Sequence, residues 1–505
     1  MSLVNQFGQS VHSNKLYKSS NRFQNGVPWT PLMDRDFKEL FNSHDFAAVM
    51  TQSRLVYANM GIPKAAVDQK AMLVAGDGWE LEYSGEDSEW GENAVELLSS
   101  WLDRSEVSGR CCFSEGLETD SVAVSRDGDF FILMVLDENR NPKIQKIPAH
   151  RVGSGKYTDG EKMEDGEHEG FTIQSGVVSD GFGRVVAYQV IDPTMDHDKD
   201  FFVSSQNMIH VTEQKWHDQE RGLPEFSASF NQLRQSELSQ DWELLAQQMV
   251  SSYALVEYNE HGAPDIDDPL NSLNTDFGEA TDKGLVVEEF SGGAVKYFQS
   301  NSGGKMDTIT SNRPSDMWDR FQDRIGRVAC SGAKWPFELV WKPEGLNGNS
   351  VRHVQEMARM SVSSRQCTLV NAYRKVLSWA ASMLIARGVL PMPSNPMDVA
   401  SFGFIMPAKF SIDPRHDAKT QIELYKMGIV NLTQILRERK RKLVSHYDER
   451  CYEVTLRDLK IAEWEEKTKV KIDKREIIML TPNEMPESDT EGQDQTETIE
   501  ENETI

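Results

Sequence analysis

The sequence predicts an α+β protein in which a β-rich segment is followed by long helices. Three observations predict this class. Apolar residues recur at helical steps over about 34–101, β-type apolar runs bounded by turn residues occupy about 118–215, and helical periodicity resumes in a very long stretch at 351–387. A chain of 505 residues exceeds what one hydrophobic core usually supports, so several sub-domains are expected.

The first half begins with a polar segment without periodicity, residues 1–33, which predicts a flexible arm. Within the β-rich segment, the runs at 122–124 and 130–135 flank Asp127-Gly128, a turn signal that predicts a β-hairpin. A further strand is predicted at 183–190.

Two helices separated by an insert are predicted next. The first begins near Pro224, with apolar positions at Phe226, Phe230, Leu233, Leu238, Trp242, Leu245 and Met249. The insert at 257–312 follows a strand at 253–258 and carries strands at 284–287 and 294–298. The second helix begins at Pro314, and its buried stripe is predicted at Trp318, Phe321, Ile325 and Val328.

An irregular, glycine-bearing stretch at 331–350 precedes the very long helix, which Gly388 and Pro391 are expected to end. Leu369, Tyr373, Val376, Ala380 and Met383 mark its apolar stripe.

The last folded part is predicted to be helical, with a break near Gly428. No lysine or arginine follows Arg475, and residues 481–505 are predicted to form an acidic, disordered tail.

The formal net charge is −26, from 80 acidic and 54 basic residues. Tight DNA binding usually relies on an excess of Lys and Arg, which this chain does not have. Any role with DNA must therefore be one that tight binding would hinder, such as guiding DNA through a passage. Taken alone, the negative net charge is better explained as a property that keeps the protein soluble. The five cysteines form no Cys-x-x-Cys pair, and neither a signal peptide nor a membrane span is visible, which fits a reducing cytoplasm.

Several segments resemble the lambda-like family of portal proteins from tailed bacteriophages. Each is weak alone, but their order over about 34–445 is specific. They are IPAHRVGS at 147–154, GRVVAY at 183–188, MIHV at 208–211 with RGLP at 221–224, the stretch 321–339 ending in WPFEL, NGNSVR at 347–352, and FSIDP at 410–414 with GIV at 428–430.

The resemblance implies a portal fold with a β-rich wing, a two-helix stem, a small α/β clip, a long channel-lining helix and a helical crown. The parts would be the arm at 1–33, wing at 34–224, first stem helix at 225–256, clip at 257–312, second stem helix at 313–330, tunnel loop at 331–350, channel helix at 351–390, wing return and crown at 391–480, and tail at 481–505.

The resemblance also implies a function. Twelve copies would form a homo-oligomeric ring at one capsid vertex, through which double-stranded DNA is packaged and ejected. Further partners would be the terminase large subunit, a head-completion or adaptor protein and the major capsid protein. The protein would assemble in the host cytoplasm and reside in the virion, without membrane contact and without cofactors.

The tunnel loop is expected to face DNA. Its candidate residues are Gly332, Lys334, Lys342, Gly345, Asn347, Gly348 and Asn349. Lys334 and Lys342 either touch phosphates or are solvated loop lysines, and the residues leave both open. The glycines either let the loop change shape or simply occupy turn positions, and the second interpretation is favoured.

Charged residues of alternating sign on the second stem helix are candidates for ion pairs between subunits. They are Asp316, Asp319, Arg320, Asp323, Arg324 and Arg327. The alternative is a solvent-exposed helix face whose charged residues form ion pairs four positions apart within the same helix. The basic run at 437–442 is better explained as a solvated helix face, or as a run that pairs with nearby acids such as Asp448 and Glu449, than as a DNA contact.

No catalytic or metal-binding pattern is recognised. Gly153–Lys156 lacks the spacing of a phosphate loop, 196–198 (DHD) suits a solvated turn, and His210 suits a satisfied core histidine. The sequence therefore predicts a structural protein rather than an enzyme, and the alternatives are a phage enzyme or a head adaptor protein.

Overall fold

The structure is a computed structural model. It describes residues 37, 41–153, 155–163, 169–192, 194, 200–251, 253–259, 286–290, 293–299, 305–307, 316–341, 348–407, 414–439, 441 and 443–469. Both helices and small sheets occur, as the α+β class predicts. The arm, the acidic tail and residues 196–198 lie outside these ranges.

Helices account for most of the regular structure. In the described ranges they are α1 (Ser43–Asn59), α2 (Gly61–Ala75), α3 (Ser88–Leu102), α4 (Phe113–Asp127), α5 (Phe230–Ser251), α6 (Asp316–Gly332), α7 (Phe337–Val340), α8 (Gly348–Ala386), α9 (Pro414–Lys426), α10 (Leu432–Glu438) and α11 (Leu443–Thr468).

Four small sheets accompany them within the same described ranges. Their strands are β1 (Glu80–Tyr83), β2 (Asp129–Leu136), β3 (Pro142–Pro148), β4 (Thr172–Gln174), β5 (Val177–Ser179), β6 (Val185–Val190), β7 (Phe201–Ser204), β8 (Met208–Thr212), β9 (Tyr253–Asn259), β10 (Val286–Phe290), β11 (Gly293–Gln299), β12 (Lys305–Asp307) and β13 (Phe402–Ile405). The sheet orders are β3-β2-β8, β4-β5-β6-β7, β10-β11-β9-β12 and β1-β13.

The predicted hairpin around Asp127-Gly128 is wrong. Residues 122–124 lie in α4, which Gly128 ends with φ at 96°, a conformation that favours glycine. The buried face of α4 includes Leu117, Asp120, Ser121 and Val124. Because two of these four are polar, the helical period was hidden and the short apolar run imitated a strand.

The predictions for the later helices are mostly confirmed. The long helix is α8, its residues Leu369, Tyr373, Val376 and Ala380 are buried, and Gly388 follows its end at φ 74°. Gly428 separates α9 from α10. The predicted strands at 253–258 and 294–298 lie within β9 and β11, and of the strand predicted at 284–287 residues 286–287 lie in β10 while 284–285 lie outside the described residues.

The stripes of α5 and α6 are only partly as predicted. Phe226, Phe230 and Leu233 are buried, whereas Leu238, Trp242 and Leu245 are exposed. On α6, Phe321 and Val328 are exposed, and Gly326, Ala329 and Cys330 are buried instead. Small residues form the inward face of α6, because the helix lies close to its neighbours and larger apolar residues remain outside.

The helices α5 and α6 lie side by side. The indole Nε1 of Trp318 donates to Ser239 Oγ at 3.2 Å, and the hydroxyl of Ser236 donates to Gln322. The base of the pair joins the main core, which also contains residues of α1 to α4 and of α8. The pair is therefore anchored at one end, and its exposed apolar residues lie beyond that end.

Two glycines at the edge of the β2 sheet are in close backbone contact. A Cβ added to Gly222 would lie 2.1 Å from the carbonyl oxygen of Gly128. We expect Gly222→Ala to lower the free energy of unfolding by about 1–3 kcal/mol, because one of the two backbones must move. Urea denaturation measures the change.

Gly181→Ala is the matched control, because nothing lies within 4 Å of its added Cβ. Equal midpoints for the two variants would contradict the close approach.

Candidate functional site where the paired helices meet the long helix

The segment after α6 is closed by a helix C-terminal motif. The amide of Trp335 donates to the carbonyl of Cys330 at 2.9 Å, and that of Ala333 donates to Ala329 at 3.2 Å. Lys334 lies between them with φ at 56°, a left-handed position that usually favours glycine. The chain therefore turns sharply here and presents the Lys334 side chain outward.

The residues flanking Lys334 are anchored in the main core. Ala333, Trp335 and Phe337 are buried there. A Cβ on Gly326 would lie 2.5 Å from Phe337 Cε2, so this glycine makes room for the ring. The first part of the predicted irregular stretch is thus a fixed turn and a short helix rather than an open loop.

The other candidate residues of the tunnel loop fall in different places. Gly332 is the last residue of α6, and Gly348 and Asn349 are the first residues of α8. Lys342, Gly345 and Asn347 lie outside the described residues. The assignment of these residues to a DNA-facing surface stays a prediction.

A buried ionic network lies behind this turn and is centred on Arg365 of α8. The guanidinium is fully buried and pairs with Glu213 at 2.7 Å and with Glu225 at 2.8 Å. It also donates to the carbonyl of Ser121 at 2.8 Å and to Ser125 Oγ at 3.0 Å. One side chain thereby joins the long helix to α4 and to the segments on both sides of the RGLP motif.

Two further lysines complete the network. Lys70 of α2 pairs with Glu225 at 2.6 Å, and Lys215 pairs with Glu213 at 2.8 Å. Lys215 is itself exposed, so the network extends from the core to the surface.

The protonation equilibria follow from this arrangement. Burial alone would raise the pKa of Glu213, but Arg365 and Lys215 outweigh it and hold that pKa well below its usual range. The pKa of Glu225 is lowered in the same way by Lys70 and Arg365. Contact with Lys215 and partial burial lower the pKa of Lys334.

A second buried ion pair explains two of the sequence motifs. Arg221 pairs with Asp129 at 2.8 Å and donates to the carbonyls of Ala149, Val152 and Ser175. The imidazole Nε2 of His210 lies 2.9 Å from Asp129, which confirms the predicted core histidine. Through Ala149 and Val152, Arg221 joins the RGLP segment to the IPAHRVGS segment, and through Ser175 it also binds the β4–β5 turn, so both motifs stabilise the fold.

The charged residues of α6 are mostly directed to solvent. Asp316, Asp319, Arg320, Arg324 and Arg327 are exposed and Asp323 is half-buried. Arg327 pairs with Glu338 at 2.5 Å within the chain and lies over the Phe337 ring. The proposed pairing between subunits stays a prediction for these residues.

The basic run before α11 has acidic partners. Arg437 pairs with Glu82, and Arg441 lies 3.7 Å from Glu449. These contacts agree with the interpretation preferred from the sequence, in which Arg437 and Arg441 pair with acidic residues.

Neither a metal site nor a membrane-spanning helix is found in the part of the chain that the structure describes. There, no three His, Cys, Asp or Glu side chains gather as a metal site, and no helix combines the length and apolarity to cross a bilayer. The five cysteines are free.

Sequence reasoning did not identify Arg365, Glu213, Glu225 and Lys70 as a group. A signal existed for Arg365, which lies in phase with the buried residues Val362, Leu369 and Tyr373 of α8. A cation at a buried position of a helix predicts buried acidic partners.

Comparisons with known proteins were made for the whole chain. Residues 35–366 match the sequence model of a family described as "Phage portal protein, lambda family". No curated protein matches the chain in sequence.

Solved structures resemble the chain at 12% sequence identity. One is the virion of a native gene transfer agent particle, with a TM-score of 0.46 over 78% of this chain and 92% of that chain. Another is the neck of the native particle computed with C12 symmetry, with a TM-score of 0.47 over 80% and 94%. A third is the neck of the empty particle computed with C6 symmetry, with a TM-score of 0.47 over 78% and 92%.

The buried network predicts a large effect of removing its central cation. We expect Arg365→Met to lower the free energy of unfolding by about 3–5 kcal/mol, because Glu213 and Glu225 would be left buried without their shared partner. Denaturant unfolding of the purified variant tests this. Arg374→Met, at an exposed position of the same helix, should change the value by no more than about 0.5 kcal/mol. A similar small change for both variants would contradict the role of Arg365.

The network also predicts a direction of pH dependence. Because the pKa of Glu213 is lowered on folding, its stabilising contribution is present above its ordinary pKa of 4.5 and is lost as the pH falls below it. We expect the unfolding free energy of the wild type to fall between about pH 5 and pH 3. Glu213→Gln should be less stable at neutral pH but should lose less over that interval. An unchanged slope in the variant would show that Glu213 does not titrate in this way.

Proposed function

Since the chain belongs to the lambda family of phage portal proteins, we propose that its copies close into a ring of twelve through which double-stranded DNA enters and leaves a capsid. The family match carries this proposal, because residues 35–366 include the wing-like sheets, the paired helices, the insert between them and the first half of α8.

The exposed apolar surface of the paired helices supports a ring. Trp242 on α5 is 72% exposed, and Phe321 and Met317 on α6 are 53% and 80% exposed. Large apolar residues that cluster on a surface usually mark a contact with another protein. In a closed ring each subunit presents one face to the opposite face of the next, so such residues on α5 and α6 become covered by neighbouring copies.

We assign the parts of the ring accordingly. Helices α5 and α6 form the stem, the sheet of β9 to β12 forms the clip, and the β2 and β4–β7 sheets form the wing. Helix α8 lies along the channel, and α9 to α11 form the crown. The clip is the part that would meet the terminase large subunit and later a head-completion protein, and the outer surface would meet the major capsid protein.

The outward face of α8 suits a passage for DNA. No Asp or Glu occurs between Glu356 and Asp398, although the chain as a whole is strongly acidic. Between residues 361 and 371 the exposed positions of this helix are Ser363, Ser364, Cys367 and Asn371, and Arg374 and Lys375 are exposed in the next turn. The short, uncharged groups neither attract the phosphate backbone strongly nor repel it, and the two cations are the only charges that this middle part would present to it.

Electron microscopy of the purified full-length protein in negative stain tests the ring. We expect rings with an open axial hole. A population of compact monomers at micromolar concentration would contradict the proposal.

Phe321→Glu tests the stem surface in the same preparation. It should shift the protein toward monomers in size-exclusion chromatography with light scattering, because a carboxylate replaces an apolar contact. Phe182→Glu is the control, since Phe182 is 98% exposed on the wing hairpin and should leave the ring unchanged.

A further inference from the structure

Strand β8 lies at the edge of its sheet. Among the described residues the sheet has the order β3-β2-β8, so β8 has a neighbouring strand on one side only. An edge strand directs half of its backbone N–H and C=O groups away from the sheet, and such a row of groups is a template to which another segment can add as a strand. The free side of β8 is therefore a candidate docking surface.

The register of the sheet shows which backbone groups face this free side. The amide of Met134 donates to the carbonyl of Asn207 at 2.9 Å, so these two residues form a hydrogen-bonded pair directly before β8 begins. Hydrogen-bonded and non-hydrogen-bonded pairs alternate along an antiparallel ladder. The N–H and C=O groups of His210 and Thr212 consequently face away from β2, whereas those of Val211, between them, bond to β2.

A groove of about 440 Å³ runs along the same edge. It is lined by the consecutive residues 209–212 of β8 and, on the opposite side, by Thr368, Asn371 and Lys375 of α8. Because successive side chains of a strand point to opposite faces, a groove that touches four residues in a row follows the edge of the strand rather than one face. A groove between a strand edge and a helix can receive an extended segment by strand addition.

The N-terminal arm leaves the fold beside this groove. The amide of Phe37 donates to the carboxylate of Asp218 at 2.5 Å, and its ring centroid lies 5.8 Å from that of Trp216. Trp216 and Asp218 follow the last residue of β8 by only four and six positions. The 36 residues that precede Phe37 are far more than are needed to run back along a strand of five residues.

The sequence of the arm suits an added strand. Residues 9–25 form its longest run without Gly or Pro, both of which weaken the interior of a strand. Leu16 and Tyr17 lie at the centre of this run, and apolar and aromatic residues pack well on a half-buried sheet. Nine of the 17 residues are Ser, Asn or Gln, which can exchange hydrogen bonds with the polar residues that α8 contributes to the groove.

We propose that residues 9–25 of the arm add to the free edge of β8 in the same chain, with Leu16 and Tyr17 at the centre of the new strand. Main-chain hydrogen bonds to His210 and Thr212 hold it in the groove. The anchor at Phe37 keeps the arm at a high local concentration, so it binds in preference to a segment from another molecule. The added strand covers an edge that would otherwise be open to pairing with other chains.

Hydrogen exchange of the full-length protein, resolved to single amides by mass spectrometry, tests the proposal. In the wild type the amides of His210 and Thr212 should exchange slowly, because carbonyls of the arm accept from them. They should exchange about ten-fold faster or more in the double variant Leu16→Pro, Tyr17→Pro. Successive N–H groups of a strand point in opposite directions, so one of the two prolines must remove a bond to β8.

The double variant Val4→Pro, Asn5→Pro is the matched control, because it changes the arm outside residues 9–25 and should exchange like the wild type. The amide of Val211 should stay slow in every protein, which verifies that the sheet itself is intact. Rapid exchange of His210 and Thr212 in the wild type would show that the edge is open and would overturn the proposal. Slow exchange that persists in the Leu16→Pro, Tyr17→Pro variant would assign the groove to another occupant and would overturn it as well.

A disulfide test separates the arm of the same chain from that of a neighbouring copy. Tyr17→Cys and Asn371→Cys are combined with Cys367→Ser, because the exposed Cys367 lies one helical turn from position 371. Mild oxidation should join positions 17 and 371 within one chain, which then runs as a monomer on a non-reducing denaturing gel. A ladder of covalent multimers joined at these positions would assign the arm to the neighbouring copy and refute the proposal for the same chain.

Discussion

The burial of one guanidinium determines how the parts of this protein are held together. Arg365 is fully enclosed in the middle of the longest helix, and water can no longer solvate its charge. It must therefore be compensated by protein groups, and these come from segments far apart in the sequence: Glu213, Glu225, Ser121 and Ser125. Each acceptor fixes the position of its own segment relative to the helix, so the charge acts as a geometric constraint on the whole core.

Arg221 has the same function in the neighbouring sheets. Its bonds to Asp129 and to three carbonyls connect β2, the end of β3 and the β4–β5 turn. Arg221 is the first residue of the RGLP segment, and Arg365 binds Glu213 before that segment and Glu225 directly after it. Two buried charges thus specify the path of the chain from the sheets into the first paired helix.

Much of the secondary structure could be predicted because the responsible signals are local. The stripe of Leu369, Tyr373, Val376 and Ala380 revealed α8, and Gly388 and Gly428 marked real helix ends. Helix α4 was missed because Asp120 and Ser121 occupy its buried face, and the partners of Asp120, Lys146 and Tyr373, are distant in the sequence. The stripe of α6 was misassigned because its inward residues are Gly326, Ala329 and Cys330, whose small size reflects close packing.

The uncovered apolar side chains of α5 and α6 also constrain how such a protein must be made. A newly synthesised copy carries Trp242, Met317 and Phe321 in water until something covers them. In the proposed ring, neighbouring copies cover these side chains, so the time for which a single copy exposes them depends on how soon it meets others, and therefore on the concentration of the protein. A chain made slowly would spend longer as single copies, whose exposed apolar residues favour binding to unrelated surfaces.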